Sequence, residues 1–527
     1  MNRSPLALAS LCALSGAAYG LAHQPGAWGL LAWVSIAPLL WACGCAGPGR
    51  AFVYGWIFGA AGWAAAMPWL VDTAARFLLL PRPAAVLAFA GFCALEGLQF
   101  ALAAGLARWA AEGLRREAGW TVPAALACAA PPIWVAVEWL VPDQFPKYLA
   151  VTQIFHLPLV QSLELFGAAG LAWLIAGFNA ALYAAVSDRR AWRALAAMTL
   201  LAASNEAFGL VRIRQVDARV SRRLAQGDAI QVGVIQGSEP FQGRPRRHRF
   251  DSDLGVYTSL TDQALSAGPL DLVVWPETTF AGVVRCAGGP EGLREPELDG
   301  KPLQEALRSD LPQRTHILIS ALAEATSPEG RRTFNVSVLT GPDRQSLGIA
   351  LKRHLIPFGE FLPWEDRFPL LHRFSPNSWS LTAGRGQDVL RMQDGTRLGI
   401  LICYEDLLPA YARGMVRKDP DLLVHQAADA WFTGRLPEMH LRFGSLRAVE
   451  SRRFMVRAVS SGISAVIDPA GRVTQSLGTG VRGELTARVA RMRGETLSMR
   501  LGDALYEVAA VLSLLLIALP LLRRRTA

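Results

Sequence analysis

Apolar residues are concentrated towards the two ends of this chain, and this distribution limits the folds that the chain can adopt. Residues 1 to about 210 consist mostly of Ala, Leu, Gly and Trp with few charges, whereas residues 212–502 have the composition of an ordinary globular domain. A last apolar run, 504–522, precedes the C-terminus. Because apolar runs of this length are typical of membrane-spanning helices, the sequence predicts a transmembrane bundle at 1–210, a globular domain at 212–502 and a C-terminal transmembrane helix at 504–522.

Eight segments have the length and hydropathy of transmembrane helices. Seven of them lie in the N-terminal bundle and the eighth lies after the globular domain. The whole chain is 52% hydrophobic and only 18% charged, which is more apolar than an ordinary soluble protein. The first segment has some features of a signal peptide, but further apolar segments follow at once, so we interpret it as an uncleaved helix. The predicted spans are 5–22, 27–44, 52–71, 84–107, 121–141, 164–186, 193–210 and 504–522.

The basic residues between these spans predict the orientation of the chain. If the N-terminus is cytoplasmic, the loops on that side carry most of the arginines, and the opposite short loops carry only Arg76, Arg82 and Lys147. Positive charge is retained on the cytoplasmic side of membrane proteins, so the domain at 212–502 is predicted to lie outside the cytoplasm. Much of the net charge of +10 flanks the spans in this way, and no nucleic-acid partner is predicted.

Two acidic residues, Glu96 and Glu138, lie within the apolar segments. Acids inside a membrane are costly and often functional. For Glu138 a hydrated position at the membrane interface is an equal alternative, because Val141, Pro142 and Asp143 end the span just beyond it.

The most informative stretch of the globular domain is a short apolar run, 398–402, that ends in Cys403. It predicts a buried strand, and a cysteine at the end of a strand is held where a nucleophile can meet its substrate. Two other interpretations remain open. Cys403 is either a buried core thiol or the partner of Cys286, the other cysteine of this domain, in a disulfide.

A base and a cation for this thiol are available elsewhere in the domain. Glu277 follows the apolar run 270–275, and Pro276 ends that strand, so the carboxylate is predicted at the strand exit. Lys352 lies in a loop that contains Pro and Gly, and lysine is rare in this chain. A glutamate can accept the thiol proton, and a lysine can stabilise the oxyanion of a tetrahedral intermediate. The sequence has no HExxH, Walker A or Cys-x-x-Cys motif, so neither a metal nor a nucleotide cofactor is predicted.

Strands and helices alternate along the domain, which predicts a layered α/β fold. Residues 281–300 are rich in Gly and Pro and predict a loop. A second loop, 361–380, carries many large apolar side chains, which either contact lipid or fold inward. The predicted strands are 229–235, 270–274, 316–321, 334–340, 398–402, 422–425, 455–459 and 463–467, and the predicted helices are 251–267 and 436–451.

Several segments together resemble the nitrilase superfamily, and more narrowly the bacterial apolipoprotein N-acyltransferase family. The matching segments are Val274-Trp275-Pro276-Glu277, the stretch from Lys352 to Glu360 that contains Pro-Phe-Gly-Glu, Ile402-Cys403-Tyr404-Glu405 and Asp429-Ala430-Trp431-Phe432. The resemblance implies a multi-pass helical membrane bundle carrying an αββα sandwich on the periplasmic side of the bacterial inner membrane. It also implies a catalytic triad of Glu277, Lys352 and Cys403, with supporting residues Glu360, Tyr404, Glu405, Asn335 and Trp431.

The reaction that this resemblance implies has two steps and needs no cofactor. An acyl chain passes from the sn-1 position of a phospholipid, with phosphatidylethanolamine as the implied donor, to Cys403 as a thioester. It then passes to the N-terminal amine of diacylglyceryl-cysteine in an apolipoprotein, as the last step of lipoprotein maturation. The implied partners are a phospholipid, an apolipoprotein and the membrane.

Two alternatives share part of this pattern. A membrane-tethered nitrilase or amidase that hydrolyses a small C–N substrate would use the same triad. A degenerate, non-catalytic homologue that binds lipoproteins is suggested by departures from the family pattern. Ala427-Ala428 stands where Ser-Asn is usual, and Val459-Ser460-Ser461 stands where Thr-Asn-Thr is usual.

Overall fold

The computed structural model divides the chain into two compact units. The first comprises residues 1–71, 82–213 and 500–527, and the second comprises 72–81 and 214–499. The functional domains predicted at 1–210, 212–502 and 504–522 remain a prediction, although two unit boundaries lie close to theirs. The structure describes residues 4–141, 143, 145, 148–238, 250–298, 301–302, 314–327, 330–365, 367, 368, 370, 373, 375, 378–386, 389–431 and 434–522.

The first unit consists of helices. Within the part of the chain that the structure describes, seven helical segments are long and apolar enough to cross a membrane. The helix at the third predicted span, Pro48–Ala66, has 19 residues and is not one of the seven. The seven segments are Pro5–Ala22, Ala27–Gly44, Arg82–Ala118, Val122–Leu140, Leu163–Ser187, Arg189–Ala225 and Ala504–Leu521.

Two helices are much longer than their apolar cores. Arg82–Ala118 and Trp192–Ala225 have 37 and 34 residues, whereas the sequence predicted spans at 84–107 and 193–210. Hydropathy marks the part of a helix that suits lipid, but polar and charged residues with good helix propensity continue both helices past that point. The segment 27–44 also differs from a single helix, because it contains a 3₁₀-helix, Ala27–Trp33, and an α-helix, Ala37–Gly44.

Glycines allow the helix Pro48–Ala66 to pack closely against its neighbours. A Cβ atom on Gly16 would lie 2.0 Å from the carbonyl oxygen of Phe58, and one on Gly55 would lie 2.4 Å from that of Phe100. Such contacts are possible only between backbones that nearly touch, as in other helix pairs with small residues at the interface. This packing accounts for the glycine content of a helix that is less apolar than the other spans.

Glu138 lies near the end of the helix Val122–Leu140, where the Leu149 N–H donates a hydrogen bond of 3.2 Å to its carboxylate. The acid therefore has a structural role in fixing the segment that follows the helix. This position favours the interpretation that Glu138 belongs to the end of the span.

The second unit is an α/β sandwich built from two sheets. Among the described residues, the larger sheet has nine strands and the smaller has six. The larger contains β1 (Ala229–Gln236), β2 (Leu272–Val274), β3 (Phe280–Gly289), β4 (Gly292–Leu298), β5 (Lys301–Pro302), β6 (His316–Ser327), β7 (Gly330–Thr340), β8 (Ser346–Leu351) and β15 (Gly483–Ala490). The smaller contains β9 (Val389–Arg391), β10 (Arg397–Ile402), β11 (Leu422–Ala427), β12 (Met455–Val459), β13 (Ser464–Ile467) and β14 (Val473–Leu477).

Apolar alternation along the strands produces the layers. Side chains such as Val232 and Val234 of β1 share one buried cluster with Ile400 and Val424 of the smaller sheet, so this cluster is the core between the sheets. Residues on the opposite faces pack against helices, which form the two outer layers. Among the described residues, the helices of the sandwich include Phe250–Ser266, Pro409–Val416, Leu436–Ser451 and Leu497–Leu501. The predicted αββα sandwich is therefore confirmed.

Parallel strands at the centre of each sheet bring several strand ends together. In the larger sheet β1, β2 and β6 are parallel, and in the smaller sheet β10, β11 and β12 are parallel. Segments that leave the carboxyl ends of parallel strands meet at the same edge of the sheet. Glu277 follows β2, and Cys403 follows β10 directly.

The prediction of a loop at 281–300 is wrong. This segment contains the antiparallel hairpin of β3 and β4. Gly288, Gly289, Pro290 and Gly292, which suggested a loop, lie at or beside the turn between these strands, where such residues are favoured. The alternative disulfide between Cys286 and Cys403 is also excluded, because both thiols are free.

Within the segment 361–380, Trp364, Phe368 and Leu370 are exposed, at 73%, 55% and 63% of their surfaces, whereas Leu362 is buried. The described apolar side chains of this segment thus point mainly outward. Leu371 and Phe374, which belong to the same predicted patch, lie outside the described residues.

Candidate active site

The centre of the site is the ammonium group of Lys352, which lies between two carboxylates. Its Nζ atom is 3.0 Å from Oε1 of Glu277 and 2.8 Å from Oε1 of Glu360. Asn335 donates from Nδ2 to the same two oxygens, at 2.7 Å and 3.3 Å. All four side chains are buried. Two acids, one cation and one amide therefore form a single hydrogen-bonded group.

The strand ends hold this group in place. Glu277 follows Pro276 just after the end of β2. The Trp275 N–H, two residues earlier, donates a hydrogen bond to the Leu318 carbonyl on β6. Lys352 follows β8 directly, and its N–H donates to the Asn335 carbonyl on the paired strand β7 at 2.8 Å. Because Asn335 and Lys352 are adjacent across an antiparallel pair, their side chains reach the same region.

Glu360 comes from the loop after Lys352, and its own backbone shapes that loop. The Ile356 N–H donates to Oε2 of Glu360 at 2.9 Å, and the Glu360 N–H donates to the Ile356 carbonyl at 2.8 Å. This reciprocal pair closes a tight turn, in which Phe358 has a φ of 62°. The loop therefore directs the second carboxylate to the Lys352 ammonium.

Cys403 stands at the end of β10 in an unusual backbone conformation. Its φ is 51°, in the left-handed region that residues other than Gly rarely adopt. The residue begins a 3₁₀ turn, Cys403–Leu407, and only 5% of its surface is exposed. Residues held in such conformations cluster at active sites, where the surrounding structure sustains the strain.

Glu405 connects the Cys403 segment to the Lys352 loop. Its carboxylate accepts hydrogen bonds from the N–H groups of Ile402, Arg353 and His354, at 2.9 Å, 2.7 Å and 3.2 Å. Burial raises the pKa of Glu405 to about 7, in spite of these three donors. Glu405 therefore holds two catalytic segments at a fixed separation, which is a positioning role.

The charges of the site control the proton on the thiol. Burial raises the pKa of Cys403 well above its usual range, and the Glu277 carboxylate raises it further, while Lys352 acts in the opposite direction. Burial also opposes the charge on Lys352, but the carboxylates of Glu277 and Glu360 outweigh it and raise the pKa of the ammonium. The resting site therefore contains a protonated thiol and a charged lysine. A base must take the thiol proton as the sulfur attacks.

Glu360 differs from Glu277 in its surroundings. Burial raises the pKa of Glu360, and the Glu277 carboxylate adds to this effect against the pull of Lys352. Both oxygens of Glu360 already accept hydrogen bonds from the loop and from Lys352. Both carboxylates contact Lys352, and Glu360 is also tied to its own loop through the Ile356 N–H.

Two predicted residues remain, Tyr404 and Trp431. Tyr404 follows Cys403 in the chain and is half-buried. The backbone of Trp431 belongs to a 3₁₀ turn, Asp429–Trp431, and its side chain lies outside the described part of the chain. The structure thus brings Glu277, Lys352, Glu360 and Asn335 into direct contact, and the charges of the first three act on Cys403.

Gln426 was missed in the sequence, although it joins the two sheets at the site. Its Nε2 donates to the Trp275 carbonyl at 2.6 Å, and Ser337 donates to its Oε1 at 2.5 Å. This contact fixes the strand end that carries Glu277 relative to β11. The only signal in the sequence is a polar residue directly after the predicted strand 422–425.

Asp406, His425 and His440 were also missed, and they place one potential metal-ligand atom each within 4.8 Å of one another. Arg457 donates to both Asp406 and His425, at 3.2 Å and 3.0 Å. Its guanidinium would repel a metal cation and already occupies one nitrogen of His425. The group is an ion cluster held by hydrogen bonds, and it is unsuited to metal coordination.

An αββα sandwich with a buried glutamate, lysine and cysteine at its strand ends is a fold of the nitrilase type. The sequence model of the carbon-nitrogen hydrolase family matches residues 232–497, and that of the apolipoprotein N-acyltransferase N-terminal domain matches residues 15–181. The chain belongs to the apolipoprotein N-acyltransferase family, and it is an acyltransferase.

Relatives of known name match this chain over almost its whole length. The apolipoprotein N-acyltransferase of Geobacter metallireducens is 28% identical, with 98% of this chain and 95% of the relative covered. The enzyme of the same name from Gloeobacter violaceus is 30% identical over 95% of this chain and 91% of its own length. That from Azotobacter vinelandii is 30% identical, with 98% and 95% covered.

Proposed function

We propose that this chain transfers an acyl chain from a phospholipid, through a thioester on Cys403, to the N-terminal amine of diacylglyceryl-cysteine in apolipoproteins. The observation that carries this proposal is the Lys352 ammonium between Glu277 and Glu360, whose charges act on the Cys403 thiol. This is the arrangement that thiol-based acyl transfer needs: a nucleophile, a base and a fixed positive charge.

In the first step, Cys403 becomes acylated. Glu277 accepts the thiol proton while the sulfur attacks the ester carbonyl of the donor, and Lys352 stabilises the negative oxygen of the tetrahedral intermediate. The carbon–oxygen bond then breaks, and the proton on Glu277 passes to the leaving alkoxide. Lysophospholipid departs and a thioester remains on Cys403. We take the sn-1 ester of phosphatidylethanolamine as the donor bond.

In the second step, the thioester is transferred to an amine. The free α-amine of the lipoprotein's diacylglyceryl-cysteine attacks the thioester carbonyl, and Glu277 takes one proton from that nitrogen. The carbon–sulfur bond breaks, and the Cys403 thiolate regains the proton from Glu277. An amide forms and the site returns to its resting state without a cofactor.

Two lipid substrates suit a catalytic unit that is part of a membrane protein. The exposed apolar side chains of Trp364, Phe368 and Leu370 follow the loop that carries Glu360, and such a patch suits contact with acyl chains. The arginine distribution supports a periplasmic position for 212–502, with the helices in the bacterial inner membrane. The partners that we propose are thus a phospholipid, an apolipoprotein and the membrane.

Acyl transfer by the purified full chain, from labelled phosphatidylethanolamine to a synthetic diacylglyceryl lipopeptide, tests this function. We expect transfer by the natural chain and none by Cys403→Ala. Cys286→Ala is the matched control, because Cys286 is a free thiol of the same unit outside the site, and it should transfer normally. Ammonia release from small amides without lipid transfer would support a hydrolase instead. A lipopeptide that binds but is never acylated would support a non-catalytic protein.

A further inference from the structure

A buried polar cluster lies behind the nucleophile and takes no part in the mechanism above. Its members come from the turn after β10, from β11, from the turn after β11, from the helix Leu436–Ser451 and from β12. All of them are buried. We call this group the polar cluster, and it consists of Asp406, His425, Asp429, His440 and Arg457.

The contacts of His440 determine its charge. Its Nδ1 lies 2.8 Å from Oδ1 of Asp429, and its Nε2 lies 2.9 Å from Oδ1 of Asp406. A carboxylate only accepts hydrogen bonds, so both ring nitrogens donate and the ring is an imidazolium. In agreement, although burial and Arg457 oppose the charge, the two carboxylates raise the pKa of His440 to about 9.

The contacts of His425 require the opposite state. Arg457 can only donate, and its Nη1 lies 3.0 Å from Nδ1 of His425, so that nitrogen accepts. The other nitrogen, Nε2, lies 3.0 Å from the Cys403 carbonyl oxygen, which can only accept. His425 is therefore neutral, with its proton on Nε2. Burial lowers the pKa of His425 to about 3 in spite of the nearby Asp406 carboxylate, which agrees with a neutral ring.

The polar cluster is electrically balanced. The carboxylates of Asp406 and Asp429 face the His440 imidazolium and the Arg457 guanidinium, which donates to one oxygen of each acid at 3.2 Å and 3.4 Å. Two negative and two positive groups leave His425 neutral. Buried ion groups of this kind contribute little net stability compared with apolar packing, so their place directly behind a nucleophile points to a role in geometry.

His425 links the polar cluster to the nucleophile through its hydrogen bond of 3.0 Å to the Cys403 carbonyl. The carbonyl belongs to a residue with a φ of 51°, whose conformation must be held by its surroundings. We propose that His425 is a positioning residue for acyl transfer: through its Nε2–H it holds the strained Cys403 backbone, and Arg457 fixes its tautomer by donating to Nδ1. The kinetic part of this inference rests on the proposed function.

Three variants of the full chain separate positioning from simple stabilisation. His425→Leu removes the donor while keeping an apolar side chain of similar size. His425→Gln retains an N–H donor that can reach the same carbonyl. His316→Leu is the matched control, because His316 is a buried histidine of the same unit whose Nδ1 lies 3.1 Å from the Asp271 carbonyl oxygen, away from the nucleophile.

The first measurement is the rate of Cys403 acylation at saturating phospholipid, with the melting temperature recorded for each variant. We expect His425→Leu to slow acylation roughly 10- to 100-fold, because a small misplacement of a reacting atom costs this much, while the KM for phospholipid stays unchanged. His425→Gln should recover most of the rate, and His316→Leu should react normally. An unchanged rate in His425→Leu, a His425→Gln variant that is equally slow, or an equal loss in His316→Leu would overturn the proposal.

The second measurement does not depend on acyl transfer. Iodoacetamide modifies thiolates, and the modified Cys403 peptide can be quantified by mass spectrometry as a function of pH. If Cys403 loses its position beside Glu277 and Lys352, the dependence of its alkylation rate on pH should change in His425→Leu, but not in His316→Leu. An unchanged profile would contradict the positioning role. If the natural chain forms no acyl adduct, the proposed function fails, and this profile alone decides the role of His425.

Discussion

The Nζ atom of Lys352 lies 3.0 Å from Oε1 of Glu277, in a contact from which solvent is almost entirely excluded. A second carboxylate, Glu360, approaches the same ammonium at 2.8 Å. The proposed base is thus held by a cation that is itself held by a second acid. This relationship explains why a single lysine can both orient Glu277 and provide positive charge for the oxyanion.

Replacement of Lys352 by Met should impair both catalysis and folding. Loss of one oxyanion-stabilising group costs about 10²- to 10³-fold in rate, and removal of one partner from a buried ion pair costs about 3–5 kcal/mol in the free energy of unfolding. Lys352→Arg should not restore activity, because a planar guanidinium differs in size and shape from the compact ammonium group. Acylation kinetics and thermal unfolding measure the two effects, with the exposed Lys418→Met as control. Normal acylation in Lys352→Met would exclude a catalytic role for this lysine.

Glu405→Gln should reduce the acylation rate more than the affinity for phospholipid. Glu405 accepts hydrogen bonds from Ile402, Arg353 and His354, and a glutamine presents an N–H₂ group to at least one of these donors. The Cys403 segment and the Lys352 loop would then separate slightly. We expect a lower kcat for acyl transfer at a nearly constant KM for the donor. A raised KM with normal kcat would instead place Glu405 in substrate binding.

The stability of the chain should depend on pH through His440. Its pKa is about 9 in the folded protein and about 6.5 in an unfolded chain. The folded state therefore holds the proton more tightly, so the stabilisation is complete below about pH 6.5 and is lost as the pH rises through about 9. This difference between the folded and unfolded pKa values of His440 corresponds to about 3 kcal/mol in the free energy of unfolding.

Asp406, Asp429 and His425 do not titrate in this range. The pKa values of Asp406 and Asp429 are lowered by their cationic neighbours in spite of burial, and that of His425 is about 3. Melting temperatures of the natural chain should therefore fall as the pH is raised through this window, whereas those of His440→Gln should change less. Parallel curves for the two proteins would show that His440 is not the titrating group.

Trp364→Ser should weaken the use of phospholipid without affecting the chemistry. The side chain is 73% exposed, so its loss leaves no cavity, and its apolar surface is proposed to contact acyl chains. The expected result is a raised KM for phospholipid with an unchanged kcat. Val473→Ser, at an exposed apolar position on β14, is the matched control. Equal behaviour of the two variants would remove the proposed lipid contact.

Much of the fold could be predicted because its signals are local. The helix at 436–451 and the strand at 455–459 have the bounds that periodicity predicts. The hairpin of β3 and β4 could not be predicted, since glycines that form its turn also suit an irregular loop. The helix Trp192–Ala225 continued past its predicted end because hydropathy reports contact with lipid rather than helix length.

The site was only partly accessible from the sequence. Glu277 and Cys403 could be singled out because each follows an apolar run at a strand end. Glu360, Asn335 and Glu405 came only from family resemblance, since their importance lies in contacts made after folding. His425 gave no signal at all, because its partners Cys403 and Arg457 are 22 and 32 residues away along the chain.

The central claim is that the acyl chain is carried by Cys403, and the mass of the protein tests it most directly. The purified full chain is incubated with phosphatidylethanolamine in the absence of an acceptor, and both the intact mass and the Cys403 peptide are then measured. We expect a gain of one acyl chain on Cys403 that neutral hydroxylamine removes and that a diacylglyceryl lipopeptide takes up. An acyl group on another residue, an adduct that persists in Cys403→Ala, or acyl transfer that proceeds without any adduct in the natural chain would contradict the account.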